Sequence, residues 1–200
     1  MKLLHIDSSI LGEGSASRRL SAAIVAAFAR AVPDLEIVRR DLDADPIPHL
    51  DSRRLPTVRP ANAPQGATGV PDDKGAGALD ELLAADIVVI GAPMYNFALS
   101  TQLKSWIDRI VVAGKTFKYT ATGPQGLVHG KRVIVAISRG GVYPENAPFE
   151  HAESYLKVIF GFIGVTDLTF VRAEGLMLSP EHRQKGLDAA LAAIPAARAA

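Results

Sequence analysis

The stretch Asp86 to Phe97, Asp-Ile-Val-Val-Ile-Gly-Ala-Pro-Met-Tyr-Asn-Phe, constrains this chain more than any other. Its β-branched run from Ile87 to Ile90 stops abruptly at Gly91-Ala92-Pro93. An unbroken apolar run bounded by Gly and Pro is the pattern of a strand buried on both faces, as in a parallel sheet. Proline has no N–H to give a ladder, so the chain is expected to leave the sheet at Pro93. Met94, Tyr95, Asn96 and Phe97 then fall in a loop beyond a strand's carboxyl end, where open α/β sheets bind ligands. Free backbone N–H groups, an amide and two aromatic rings suit a large, flat, polar-edged ligand.

The chain on either side repeats strand and helix. Lys2 to Ile6 reads as a first strand, followed by the polar loop Asp7 to Ala16. Ser17 is the expected N-cap of a helix in which Leu20, Ile24 and Phe28 recur at helical spacing, ended by Pro33. Leu35 to Arg39 is a second strand, so the unit is strand–helix–strand and implies a parallel sheet. Ala78 to Ala85 is a helix ahead of the central strand. After it, Ser100 or Thr101 caps a helix with Leu103, Trp106, Ile107 and Ile110 on one face, and Gly114 is its natural stop. Lys115 to Gly130 reads as a loop, Val133 to Ile137 as a fourth buried strand and Phe149 to Ile163 as a helix. Leu168 to Val171 gives a fifth strand, and Ser179-Pro180-Glu181 opens a terminal helix with proline at its first position. The expectation is a doubly wound, five-stranded α/β fold in one domain spanning residues 1–200. Residues 45–77, with prolines 46, 48, 56, 60, 64 and 71, form an irregular excursion too long for an ordinary connection.

Bulk properties exclude several classes. A formal net charge of +1 marks no nucleic-acid partner. The absence of cysteine removes disulfides, thiol nucleophiles and thiolate metal sites. No apolar run approaches the roughly 18 residues of a membrane span, and no signal peptide pattern opens the chain, so a cytoplasmic location is expected. The five histidines form no pair at metal-ligand spacing, and no Gly-x-Ser-x-Gly elbow occurs.

Three loops at strand ends carry candidate binding residues. Ser9 with Ser15, Ala16 and Ser17 offers hydroxyls and helix N-terminal N–H groups to a phosphate. Met94 to Phe97 is the second loop. In the third, Ser138-Arg139-Gly140-Gly141, paired glycines let backbone N–H groups approach a ring closely. Gly12-Glu13-Gly14 begins a dinucleotide fingerprint but has Ser17 in the third glycine's place. Asp41 at the end of the second strand can imitate its ribose-binding acid, so a Rossmann-type NAD(P)-binding protein is one alternative.

Together the loops resemble those of the FMN-dependent NADH-azoreductases, flavodoxin-like quinone and azo reductases. The resemblance rests on Asp7-Ser8-Ser9, Ser15-Ala16-Ser17-Arg18, Ala92 to Phe97, Ser100 to Lys104, Ala113 to Thr120, Gly123-Pro124, Ser138 to Gly141 and Phe160 to Gly164. It implies a flavodoxin-like sheet in the order 2-1-3-4-5 and tightly bound FMN. The phosphate would lie on Ser9, Ser15, Ala16 and Ser17. The ring would lie between Met94-Tyr95-Asn96-Phe97 and Ser138-Arg139-Gly140-Gly141. It further implies NADH or NADPH as electron donor, ping-pong hydride transfer to a quinone or azo acceptor, and a homodimer whose cleft includes Tyr119 and Phe162. No metal and no catalytic acid or base is implied, since the cofactor carries the chemistry. A non-enzymatic, flavodoxin-like electron carrier is the other alternative, although the near-neutral charge disfavours docking by charge.

Overall fold

The computed structural model describes residues 1–51, 75, 77–144 and 147–197. Strands β1 (Lys2–Asp7), β2 (Glu36–Asp41), β3 (Ile87–Tyr95), β7 (Arg132–Ser138) and β8 (Asp167–Ala173) form a parallel sheet in the order β2-β1-β3-β7-β8. Counting these five alone, the order is the expected 2-1-3-4-5. Two further pairings were not anticipated. The short β4 (Ala98–Leu99) turns back on β3, and β5 (Phe117–Thr120) pairs antiparallel with β6 (Gly123–Gly126).

Side chains of the central strands alternate between two cores, as a strand covered on both faces requires. Leu3, Ile87, Val89 and Ile134 point to helices α1 (Ala16–Ala31) and α5 (Pro180–Ala192), where Leu20, Ile24, Phe28 and Leu187 meet them. Leu4, Ile6, Val88, Ile90 and Val135 point the other way. There they meet Leu82 of α2 (Ala78–Ala84), Leu103 and Trp106 of α3 (Thr101–Ile110), and Leu156 and Phe160 of α4 (Ala152–Ile163). A one-residue slip of β3 would exchange these two sets, so the register is strongly fixed.

Several boundaries differ from the sequence reading, each for a local reason. β3 does not stop at Pro93: it runs to Tyr95, with Pro93 opposite Ser138 of β7. The β1 ladder has already ended at Asp7 opposite Gly91, so one side of β3 is free there and can accept a residue without a donor. The cap of α1 is Ser15, whose Oγ accepts the Arg18 N–H at 3.2 Å, and Ser17 lies inside the first turn. Helix α3 takes Ser100 as its cap and ends at Ile110, short of Gly114. Thr116 Oγ1 stops it by donating to the Ile110 carbonyl at 2.8 Å and accepting the Val112 N–H at 2.9 Å. Helix α4 begins at Ala152, where the Glu150 carboxylate accepts the N–H groups of Ala152 at 3.1 Å and Glu153 at 2.9 Å. Ser179 and Pro180 open α5 as expected.

The Pro-rich excursion lies largely outside the described residues. Its first residues pack on α3: Ile47 is buried, and His49 Nδ1 meets Ser105 Oγ at 3.0 Å.

Candidate active site

Because β1, β3 and β7 run parallel and in register, the loops that leave them open on the same edge of the sheet. Asp7 is opposite Gly91, and Pro93 is opposite Ser138. Side chains tie the loops together. Ser9 Oγ and Tyr95 Oη lie 3.1 Å apart, and the Ile10 N–H donates to Tyr95 Oη at 3.3 Å. The His151 N–H at the start of α4 donates to the Phe97 carbonyl at 2.9 Å. The first and second candidate loops therefore share one wall.

The first loop gathers buried hydroxyls at the start of α1. Ser9, Ser15 and Ser17 are buried, and Ser15 Oγ lies 3.1 Å from Ser17 Oγ. The Ser15 cap satisfies Arg18 N, which leaves the N–H groups of Ala16 and Ser17 donating to no acceptor among the described residues. Such first-turn N–H groups, at the positive end of the helix dipole, are the donors that hold a phosphate without a cationic side chain. The loop's shape is held from outside. Arg18 grips Asp41 through two hydrogen bonds of 2.5 and 2.7 Å and donates Nε and Nη2 to the Ser9 carbonyl at 3.1 and 2.8 Å. The Arg18 guanidinium holds the Asp41 carboxyl at about 2, well below the usual carboxylate range.

That strap corrects the ribose-acid reading of Asp41, whose carboxylate is committed to Arg18. Gly12–Gly14 form a 3-10 turn ahead of α1 and do not open the helix as a dinucleotide fingerprint does. Asp7, beneath the loop, is almost fully buried. Burial raises its carboxyl, but His5, Ser21 and Arg39 more than offset this, and its acidity lies below the ordinary value.

The second loop is a two-residue hairpin between β3 and β4. Asn96 and Phe97 both have positive φ, 48° and 68°, as primed hairpin turns require. For asparagine this is ordinary; for phenylalanine it is strained. Phe97 is half exposed at the lip of the edge, where it meets Phe149 edge-on at 6.0 Å. Phe149 in turn lies 5.9 Å from Tyr143, which covers the Arg139 guanidinium at 5.8 Å. Met94 and Tyr95 are half-buried beside it.

In the third loop Ser138 and Arg139 are buried, and Gly140 and Gly141 are partly open. The N–H groups of Gly140 and Gly141 donate to no described residue. The Arg139 side chain does not lie free for a ligand: Nη2 donates to Glu153 at 2.7 Å and Nη1 to Glu174 at 3.0 Å.

Tyr119 and Phe162 stand apart from this edge. Both pack on Phe117, at 5.5 and 4.6 Å, where the β5–β6 hairpin docks on the carboxyl end of α4. The three loops gather near the amino end of α4, and a helix rises about 1.5 Å per residue, so Phe162 lies roughly 15 Å along it from Ala152. Tyr119 is 76 % exposed.

Sequence reasoning missed the strap and the clamps: Arg18 with Asp41, Ser8, which donates to the Gly91 carbonyl at 2.8 Å, and the acids Glu150, Glu153 and Glu174. These are charged or hydroxylic residues far apart in sequence, and only the fold brings them behind the loops.

Comparisons with known proteins identify the family. Residues 1–197 match the family described as having a flavodoxin-like fold. The chain is 55 % identical over 203 residues to FMN-dependent NADH:quinone oxidoreductase 2 of Bradyrhizobium diazoefficiens, with all of both chains covered. Among solved structures, azoreductase AzrA superposes with a TM-score of 0.82 at 29 % identity, covering 96 % of each chain. An FMN-dependent NADH-azoreductase of Bacillus anthracis, crystallised in complex with FMN, gives 0.79 at 27 % identity, covering 96 % of this chain and 97 % of that one. The chain belongs to the flavodoxin-like fold family and, within it, to the FMN-dependent NADH:quinone oxidoreductases.

Proposed function

We propose that this protein binds FMN in the three strand-end loops and uses NADH to reduce quinones and azo compounds. The observation that carries this reading is the convergence of hydroxyls and unpartnered N–H groups at one end of the edge with aromatic rings and a second unpartnered N–H pair at the other. That donor set fits FMN. Ser9, Ser15, Ala16 and Ser17 would hold the phosphate; Met94 to Phe97 would flank the ring; Ser138, Gly140 and Gly141 would line its polar edge. When bound, FMN would supply two-electron hydride chemistry between NADH and the acceptor, in a ping-pong order. The N–H groups of Asn96, Gly140 and Gly141 are the donors available to negative charge developing on the ring. A well-aimed donor in a water-poor site contributes about 2–4 kcal/mol, the range for oxyanion-hole deletions. No side chain need act as acid or base, because water can supply the acceptor's protons.

The chain acts as one domain and as a homodimer in this reading. Tyr119 and Phe162 lie too far from their own loops to wall the same cleft, which supports their serving the cleft of a second copy. An apolar groove of about 520 Å³ along Leu99, Tyr155 and Val158, continuous with His151 beside the second loop, offers a surface for that copy.

The phosphate assignment is tested by Ser9→Ala combined with Ser17→Ala. A hydrogen bond to a charged group contributes about 1.5–3 kcal/mol, so FMN affinity should fall at least tenfold. Single-turnover reduction by NADH at saturating FMN should change little. Unaltered FMN retention in the double variant would refute the assignment.

A further inference from the structure

We infer that Arg139 is a positioning residue: it stays behind the Gly140-Gly141 turn and, through Glu174 and Glu153, holds that turn's N–H groups toward the open edge. The inference rests on the reading that this turn faces a bound flavin.

The turn is fastened from one side only. Arg139 N donates to the Ala173 carbonyl at 2.9 Å, while the carbonyls of Arg139, Gly140 and Gly141 accept from Leu176 at 3.2 Å, Met177 at 3.0 Å and Gly175 at 2.9 Å. All three carbonyls are therefore spent on the segment after β8. The glycine N–H groups donate to no described residue.

Glu174 sits within that same segment and clasps both ends of the turn. Its Oε1 accepts from Arg139 Nη1 at 3.0 Å, ahead of the glycines, and from the Tyr143 N–H at 3.3 Å, behind them. Arg139 reaches the other way to Glu153 on α4 at 2.7 Å, and Glu153 is itself gripped by Arg172 at 2.8 and 2.6 Å. A planar guanidinium bridges two carboxylates from two elements at fixed angles, whereas an ammonium is a point charge without that rigid fork. Arg139 is 4 % exposed; Glu174 and Glu153 accept from its terminal nitrogens, and Glu150 Oε1 lies 3.4 Å from Nη2. Its charge is spent on the scaffold, and the ligand meets the backbone it holds.

The test combines Arg139→Gln, Glu174→Ala and the double variant, measured by FMN titration of apoprotein and by the two-electron potential of bound FMN. Each single variant should weaken FMN binding about tenfold or more. The double should be no worse than the poorer single, because both break one clasp. If misplaced N–H groups cost reduced FMN tenfold more than oxidised FMN, the potential falls by about 30 mV in each variant. Unchanged affinity and potential in Glu174→Ala, with a loss in Arg139→Gln alone, would mean that the Glu174 clasp does not hold the turn and would overturn the inference. Additive losses in the double would overturn it too. Should Arg139→Gln fail to fold, Glu174→Ala alone decides, since Glu174 is partly exposed and reaches the site only through this clasp. Wild-type apoprotein that takes up no FMN would instead sink the cofactor reading.

Discussion

Replacing Gly91 by alanine tests the link between the central strand and the proposed phosphate site. Gly91 is buried in β3 between Asp7 and Ala136. A Cβ there would lie 2.8 Å from Asp7 Oδ1, 3.3 Å from Ser21 Oγ and 3.4 Å from the Ser17 carbonyl. The carbonyl belongs to the first turn of α1 and cannot move alone. Asp7 is equally constrained: it accepts from Ser21 at 2.8 Å and Arg39 at 3.2 Å in a buried site. Something in this cluster must shift. Overpacking costs about 1–3 kcal/mol, and weakening a hydrogen bond to a charged group costs about 1.5–3 kcal/mol if the bond is lost outright. Burial of the methyl and reduced freedom of the unfolded chain return about 1–2 kcal/mol. With that bond weakened but not lost, the net is a destabilisation of about 1–3 kcal/mol, or a fall in Tm of roughly 2–12 °C for a chain of this size. Because Asp7 and Ser21 lie beneath the first loop, their shift should also weaken FMN binding, by about tenfold. Calorimetry of apoprotein at fixed concentration and an FMN titration measure both. An unchanged Tm together with unchanged FMN affinity would refute the contact and the coupling drawn from it.

Two further substitutions probe other parts. Asp41, held at about 2 against an ordinary 3.8, stabilises the fold above pH 4 and loses that contribution as pH falls from 4 toward 2. The shift corresponds to about 2 kcal/mol. Asp41→Asn should therefore lower stability at pH 7 by about that amount and flatten the acid limb of the pH–stability curve; an acid limb of unaltered slope would contradict it. In β6, a Cβ on Gly126 would lie 2.3 Å from the Gly164 backbone nitrogen, so Gly126→Ala should cost about 3 kcal/mol, the upper end for overpacking. Fluorescence-monitored denaturation checks this, and wild-type stability would show that the hairpin does not dock there.

The parallel core was legible because its signal is short range: Ile87 to Ile90 and Val133 to Ile137 are continuous apolar runs, and buried parallel strands need nothing else. The third candidate loop was legible for a related reason, since Ser138 follows such a run directly, whereas Met94 and Tyr95 of the second lie within β3. The β5–β6 hairpin was not. Its second strand is Gly-Pro-Gln-Gly, a sequence with no strand propensity. It pairs because Phe117 packs on Phe162 and because only glycine at 126 lets the backbone approach Gly164 so closely. Pro93 misled for the complementary reason: its meaning depended on which neighbour was still paired, a fact of topology. Ser17 and Ser15 were equivalent caps by composition, and the bond from Arg18 N decides between them. The role of Arg139 was hidden because its partners Glu153 and Glu174 lie 14 and 35 residues away.

The spectrum of the purified protein, recorded during anaerobic titration with FMN and then NADH, bears most directly on the three-loop cofactor site. The account predicts one FMN per chain, with its visible band bleached by one equivalent of NADH. A colourless protein that takes up no FMN, or a yellow one that NADH leaves unbleached, would contradict it.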